Sequence, residues 1–368
     1  MRVIISGGGT GGHIYPALAI AEQLRESASQ IRIFFVGSKD GLENSILANY
    51  DYEFLPIEVS GFSRKLSGET VRSVRRALTG LRQAWKIIKK IKPAIVIGTG
   101  GYVCGPVVLA AWLSGVKTCI QEQNAVPGVT NRILSNFANK IFLGNPAAGK
   151  YFARKKSVSV TGNPIRSDII TVDRHSAQKK LGLNQGITTI LVSGGSRGAM
   201  SINNAMLNVH ERLCRCPDVQ VLHITGESGY ESVVAELSQS AREAKNIKIV
   251  PYMDEMPLAL AAADLAVFRA GALGMSELAA RGIPSILIPY PYATDNHQEC
   301  NARSFERENA AILVRDRELT GDSLYSLIDI LLKDKNRLSG MADAVKKLGR
   351  PDAAKKIAAD ILTMIAAG

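Results

Sequence analysis

The chain has 368 residues, 46% of them hydrophobic and 21% charged. That is enough apolar side chain to bury the cores of two domains and too much for a disordered polymer. The formal net charge of +12 is uneven, because residues 1–165 hold 21 basic and 9 acidic side chains and the remainder hold 24 of each. A basic coat over the whole molecule is thereby disfavoured, and one basic surface in the first half is expected.

In chain order, Arg2–Ser6 reads as a short buried strand that runs straight into glycines. It lacks the charged and long apolar regions of a signal peptide. Further strands are expected at Arg32–Gly37, Ala94–Gly98, Lys117–Gln121 and Lys140–Gly144, with helices at Pro16–Ser27 and Thr70–Lys90. The apolar stretch from Gly105 to Val116 is well short of the ~20 residues that cross a bilayer. Gly162-Asn163-Pro164 is a turn signal and a domain boundary. The alternation then restarts at Thr188–Ser193, Val219–Thr225, Lys248–Pro251, Leu265–Arg269, Ser285–Pro289 and Ala311–Val314, and helices from Asp322 close the chain, with Pro351 at the last one. Strands alternating with helices imply an α/β protein with two doubly wound, Rossmann-like parallel sheets. The five cysteines are scattered and the five histidines dispersed, so reduced thiols and no metal site are expected.

Three apolar runs lead into glycine loops: Gly7-Gly8-Gly9-Thr10-Gly11-Gly12-His13, Gly98-Thr99-Gly100-Gly101-Tyr102-Val103-Cys104-Gly105-Pro106, and Gly194-Gly195-Ser196-Arg197-Gly198-Ala199. Such loops bring backbone N–H groups and a helix N-terminus to a phosphate. The first fits G-x-G-x-x-G, but the second strand ends Val36-Gly37-Ser38-Lys39 without the acid that a nicotinamide site requires. In the second half, Glu277 near the start of a helix is either a ribose ligand or a helix-dipole carboxylate. The proline-stiffened stretch Pro289–Gln298 is either a site loop or an ordinary turn. Arg166, after the boundary, either faces a diphosphate or is a solvated charge.

The motifs GGGTGGH, GTGGYVCGP, QEQN (Gln121–Asn124), GNPIR, GGSRGA, RAGA with SE, and DNHQ occur in this order along essentially the whole chain. Together they resemble the MurG family, the bacterial N-acetylglucosaminyltransferases of peptidoglycan synthesis. The resemblance implies a GT-B architecture with a deep cleft: an acceptor- and membrane-facing domain over 1–163, a UDP-N-acetylglucosamine domain over 164–345, and a C-terminal helix over 346–368 that returns to the first domain. It implies inverting transfer to undecaprenyl-diphosphate-linked MurNAc-pentapeptide, with no cofactor and no catalytic metal. Carried over by motif, Thr10, Gly11 and Gly12 line the cleft near the transferred sugar and Asn124 contacts the donor. Arg166 and Ser196 lie near the diphosphate, and the Met253 backbone reads the uracil. Ala272, Leu273, Gly274, Met275, Ser276 and Glu277 hold the nucleotide, with Glu277 on the ribose, and Gln298 meets the sugar hydroxyls. Gln121 stands where the family usually has His, Arg197 where it has Gln, and Gly274 where Thr is frequent.

The transfer needs a base for the acceptor hydroxyl, and His13, which ends the first glycine loop and titrates near neutrality, is the candidate. Its alternative is a loop histidine that bonds backbone. Between Gly61 and Lys92 ten basic residues stand against one acid. Val71, Val74, Leu78, Leu81, Trp85 and Ile88 recur at helical steps among them, a basic amphipathic helix. It either solvates its charges or meets an anionic membrane, with Leu78, Leu81, Trp85, Arg75, Arg76, Lys89 and Lys90 outermost. The resemblance favours peripheral binding at the cytoplasmic face of the bacterial inner membrane. The rival readings are a GT-B transferase for another lipid acceptor and a basic nucleic-acid-binding protein; the latter lacks a groove-reading motif, so no nucleic-acid partner is expected.

Overall fold

The computed structural model describes residues 1–59, 68–153 and 157–367, and over 68–76 the backbone alone. The chain forms two compact units, Met1–Arg166 with Pro351–Gly368, and Ser167–Arg350.

The first unit carries a seven-stranded parallel sheet of β1 (Arg2–Ser6), β2 (Arg32–Ser38), β3 (Glu53–Ile57), β4 (Ile95–Gly98), β5 (Lys117–Glu122), β6 (Lys140–Leu143) and β7 (Val158–Val160), in the order β3-β2-β1-β4-β5-β6-β7. The inner strands are apolar on both faces because helices cover both. Val3, Ile5, Ile33, Phe35, Ile95 and Ile97 face the helix Gly11–Ser27 and Ile357, Ala358 and Ile361 of the last helix, Ala353–Ala366. The alternate residues Ile4, Phe34, Val36, Val96 and Ile120 face Ala84 and Ile88 of the helix Gly68–Ile91 and Val107, Val108 and Ala111 of the helix Cys104–Leu113. The period of two that divides the strands is the pleat itself. Each fully buried Ile or Phe contributes about 1.5–3 kcal/mol.

The second unit carries β8 (Thr188–Ser193), β9 (Val219–Ile224), β10 (Ile247–Val250), β11 (Leu265–Phe268), β12 (Ser285–Leu287) and β13 (Ala311–Leu313), all parallel, in the order β10-β9-β8-β11-β12-β13. Ile190, Val192, Val221 and Val267 pack against Ile202, Met206 and Val209 of the helix Met200–Leu213 and Leu324, Ile328 and Leu331 of the helix Gly321–Lys333.

The divisions fall at 166/167 and 350/351, a few residues beyond the 163/164 and 345/346 read from sequence. Ile165 is buried and the Arg166 guanidinium lies 5.1 Å from the centroid of the Tyr15 ring, which holds this segment to the first unit. The helix Lys335–Leu348 runs unbroken through 345 and buries Val345 beside Ala279. Strands β3 and β7 were not expected. Both are sheet edges: β3 contains Pro56, which only an edge tolerates, and β7 has three residues.

Candidate active site

Each sheet reverses its strand order once, between β1 and β4 in the first unit and between β8 and β11 in the second. Ligands of such sheets bind beyond the carboxyl ends of the strands at that point. The three glycine loops all stand there.

In the first unit, Gly7–Thr10 link β1 to the helix Gly11–Ser27. A Cβ on Gly8 would overlap the Glu43 carboxylate, and Gly9 takes φ +83°. The loop is threaded between Glu43 and the loop after β4. Glu43 is fully buried and accepts the Gly9 N–H at 3.1 Å and the Ser38 N–H at 2.6 Å. On the other side the Thr99 hydroxyl donates to the His13 carbonyl at 2.8 Å. Thr10 and Gly12 are exposed, and Gly11 and His13 are half-buried. His13 brings Nδ1 to 3.1 Å from the Gly8 carbonyl and 3.3 Å from the Thr10 hydroxyl oxygen. A carbonyl only accepts, so Nδ1 carries the hydrogen and Nε2 the basic lone pair. The second loop passes flat beside the ring, since a Cβ on Gly100 would lie 2.6 Å from His13 Cδ2. The missing Cβ at Gly100 makes room for the histidine ring. Burial pushes the Cys104 thiol beneath this loop up to about 12, so it stays a packed thiol, not a nucleophile.

At the end of β5 the buried Glu122 accepts the Asn124 N–H at 2.9 Å, the Asn124 side-chain amide at 3.2 Å, the Gly128 N–H at 3.2 Å and the Asn131 amide at 2.8 Å. These bonds fold the QEQN turn and fix Asn124. Arg166 lies over Tyr15, two residues along the helix from His13. The first unit thus gathers Thr10, Gly11, Gly12, His13 and Arg166 at one helix start, with Asn124 on the loop after β5.

In the second unit, Gly195, Ser196 and Arg197 form an exposed tip before the helix Met200–Leu213. Gly198, at φ +71°, lies against the Thr225 carbonyl where a Cβ would clash. Across the reversal, the helix Ala272–Arg281 follows β11. Leu273 and Met275 are buried, so they can meet a ligand through backbone only. The Ser276 hydroxyl donates back to the Ala272 carbonyl at 2.8 Å. Glu277 is half-buried in the second helical turn, beyond the first turn where a helix dipole acts most strongly. Gly274 is half-buried, and a Cβ there would make only an ordinary 3.7 Å contact with Phe268. Met253 is half-buried in the loop after β10, and Gln298 Oε1 accepts the Tyr290 N–H at 2.9 Å.

The loop of Gln298 turns sharply. Asp295 and Asn296 take φ of +52° and +50° in succession, at about 1–3 kcal/mol each. The Asn296 amide donates to Glu299 at 3.0 Å. Asn296, Arg303 and Arg315 together hold the Glu299 carboxyl at about 2, so a charged clamp keeps the loop in shape. Next to it Arg269 bonds Asp316, the Ser201 hydroxyl at 2.9 Å and the Pro289 carbonyl at 3.1 Å. It ties the loop after β12 to the start of the helix Met200–Leu213. Glu43, Glu122 and Asp316 were not singled out from sequence.

Residues 3–143 match the glycosyltransferase family 28 N-terminal domain and residues 189–357 its C-terminal domain. The chain is 47% identical over 360 residues to a UDP-N-acetylglucosamine--N-acetylmuramyl-(pentapeptide) pyrophosphoryl-undecaprenol N-acetylglucosamine transferase of Desulforamulus reducens, covering 97% of each chain. It is 43% identical to the enzyme of that name from Moorella thermoacetica, over the full length of both. The chain belongs to this family. The crystal structure of Acinetobacter baumannii MurG superposes with a TM-score of 0.76 at 27% identity, covering 98% of this chain and 99% of that one. A UDP-GlcNAc 2-epimerase from Neisseria meningitidis, at TM-score 0.70 and 12% identity over 99% of this chain and 100% of that one, shares the fold alone. The architecture is GT-B.

Two departures from the family 28 pattern have a structural account. Gln121 is fully buried and donates to Asn163 at 3.0 Å, so it braces the sheet. Arg197 stands on the exposed tip beside Ser196. The basic helix Gly68–Ile91 is divided lengthwise. Ala84 and Ile88 are buried, while Leu78 and Trp85, seven residues apart, are 62% and 46% exposed. Leu81, expected on the outer side, packs half-buried against the core instead, because it shares the inner face with Ala84 and Ile88. Lys89 and Lys90 are exposed, with Lys89 Nζ 5.7 Å from the Trp85 ring centroid. The side chains of Arg75 and Arg76 lie outside the described residues. The neighbouring helix Cys104–Leu113 adds exposed Trp112 and Leu113 at its end, residues the sequence reading passed over.

Proposed function

We propose that this chain transfers N-acetylglucosamine from UDP-N-acetylglucosamine to undecaprenyl-diphosphate-linked MurNAc-pentapeptide, converting lipid I to lipid II in peptidoglycan synthesis. The observation that carries it is whole-length identity of 47% to a relative named for that transfer. An acceptor sugar hydroxyl attacks the anomeric carbon and the bond to UDP breaks with inversion. His13 Nε2 takes the hydroxyl proton, a role supported by the Gly8 carbonyl that fixes its tautomer. Ser196, its loop, the helix that follows and Arg166 stabilise the departing diphosphate. Met253, Ala272–Glu277, Asn124 and Gln298 hold the nucleotide-sugar, with Glu277 on the ribose and the buried Leu273 and Met275 acting through backbone. Thr10, Gly11 and Gly12 line the sugar side.

The enzyme works as a peripheral protein at the cytoplasmic face of the bacterial inner membrane. Leu78, Trp85, Lys89 and Lys90, with Arg75 and Arg76 on the same helix, meet the anionic surface. Exposed tryptophan among cations supports this reading; among the described residues no helix is long and apolar enough to cross a membrane. No nucleic acid is a partner.

UDP release from UDP-N-acetylglucosamine, measured with and without the lipid-linked acceptor, tests the proposal. Release that the acceptor does not stimulate would point to another acceptor. His13→Ala is expected to lower turnover at least ~100-fold while UDP-sugar binding survives. Near-normal turnover of the folded variant would remove the base assignment.

A further inference from the structure

The Gly8–Gly9 peptide is held at both ends. Its carbonyl, on Gly8, lies 3.1 Å from His13 Nδ1. Its N–H, on Gly9, donates to Glu43 Oε2 at 3.1 Å. In a trans peptide these two groups point in opposite directions, so carboxylate, peptide and imidazole form one line of hydrogen bonds. We infer that Glu43 is a positioning residue for the transfer reaction, acting on His13 through the Gly8–Gly9 peptide. The inference rests on the reading of His13 as the base.

The fold is shaped around this arrangement. Glu43 is fully buried, 34 residues from Gly9 in sequence. Its second oxygen is anchored by the Ser38 N–H at 2.6 Å. Gly8, Gly37 and Gly41 each lack the Cβ that would overlap the Glu43 side chain. A carboxylate on the N–H polarises the peptide and makes its carbonyl a stronger acceptor, as hydrogen bonds in a chain reinforce one another. That holds the hydrogen on Nδ1, leaves the lone pair on Nε2, and favours the imidazolium formed when Nε2 takes a proton. An acid that orients a catalytic histidine does the same by direct contact; here a peptide is interposed. Among the described residues, Tyr15 and Arg166 by the helix and Tyr102 and Cys104 on the loop after β4 also stand at this corner. None of them supplies an anion, since burial keeps the Cys104 thiol protonated and Arg166 is a cation.

Glu43→Gln tests this. The amide keeps the shape but loses the charge and confronts one of two backbone donors with a donor. The turnover number kcat is expected to fall about tenfold, the low end of what losing a histidine's outer partner costs, with the KM for UDP-N-acetylglucosamine unchanged. The His13 titration followed by NMR is expected to move to lower pH by a few tenths of a unit. That is the effect of one charge about 8 Å away by two hydrogen bonds and a peptide. An unmoved His13 titration in the folded variant would overturn the inference, whatever kcat does. Should the variant not fold, the imidazole 15N shifts of the unaltered protein decide: Nδ1 protonated and Nε2 bare supports the relay, and the reverse tautomer overturns it. The two readings fail separately. Normal turnover of His13→Ala removes the base while the titration shift still reports the coupling; an unmoved titration removes the coupling and leaves the base.

Discussion

Glu277 carries two possible meanings in one side chain. By spacing alone it is either a ribose ligand or a carboxylate complementing a helix dipole. In the structure it stands a full turn inside the helix Ala272–Arg281, half-buried, at the reversal of the second sheet. Its charge there does little for the helix. If it accepts the ribose hydroxyls, Glu277→Ala removes charge-assisted hydrogen bonds of about 1.5–3 kcal/mol. UDP affinity by calorimetry is then expected to weaken roughly 10- to 100-fold, with the melting temperature little changed. Unaltered affinity would mean that another group holds the ribose. Residues like Glu277, His13 and Ser196 are legible because they sit inside motifs beside their own glycine loops. Glu43 and Asp316 lie outside the motifs, and Glu122, although inside QEQN, carries no sign there that it holds Asn124. The partners of Glu43 and Asp316 come from distant segments, the bonded pair Arg269 and Asp316 being 47 residues apart, and a buried carboxylate has no local signature. Sequence shows which residues face a ligand more readily than which residues hold them still.

Among elements, the central strands were read nearly to the residue, because burial on both faces writes them as uninterrupted β-branched runs. The edge strands β3 and β7 were lost because an edge need not be apolar and tolerates proline. The helix Gly68–Ile91 was placed correctly but its outer face was drawn one turn too wide, since a continuous apolar stripe does not say where the core stops. With Leu81 on the core side, the outer apolar groups are Leu78 and Trp85, joined by Trp112 and Leu113 of the adjacent helix. Basic residues near an anionic surface contribute about 1 kcal/mol each. Reversing the charge of Arg75, Arg76, Lys89 and Lys90 together is therefore expected to weaken binding to anionic vesicles at low salt by at least roughly a thousandfold. UDP-N-acetylglucosamine affinity, which in this reading rests on residues away from this helix, is expected to hold. Vesicle binding that ignores the reversal would refute the membrane face. Displacement of the vesicles by DNA would favour the nucleic-acid alternative.

For the whole molecule, the excess positive charge of residues 1–165 coincides with one of the two structural units. The unit boundary, however, is not a single cut in the chain. The last helix, Ala353–Ala366, joins the first unit and lies against the helix Gly11–Ser27. Ile357, Ala358 and Ile361 are fully buried there, Lys117 donates to the Met364 carbonyl at 2.6 Å, and Lys140 pairs with Asp360 at 3.5 Å. No local pattern in residues 353–366 names its partner; an amphipathic helix of this kind would pack equally well on many surfaces. The first unit therefore depends on residues far along the chain. Ile357→Ala leaves a cavity in the core beneath β1 and β2, at a cost of about 2–5 kcal/mol. Because Ile357 belongs to a core cluster built from the first unit alone, the loss is expected to be local. Hydrogen exchange should show lowered protection in β1, β2 and the helix Gly11–Ser27, and unchanged protection in β8, β9 and β11. Since His13 stands in the first turn of that helix, turnover is expected to fall before nucleotide binding does as the temperature is raised. Equal loss of protection in both units would mean that they unfold as one cooperative body.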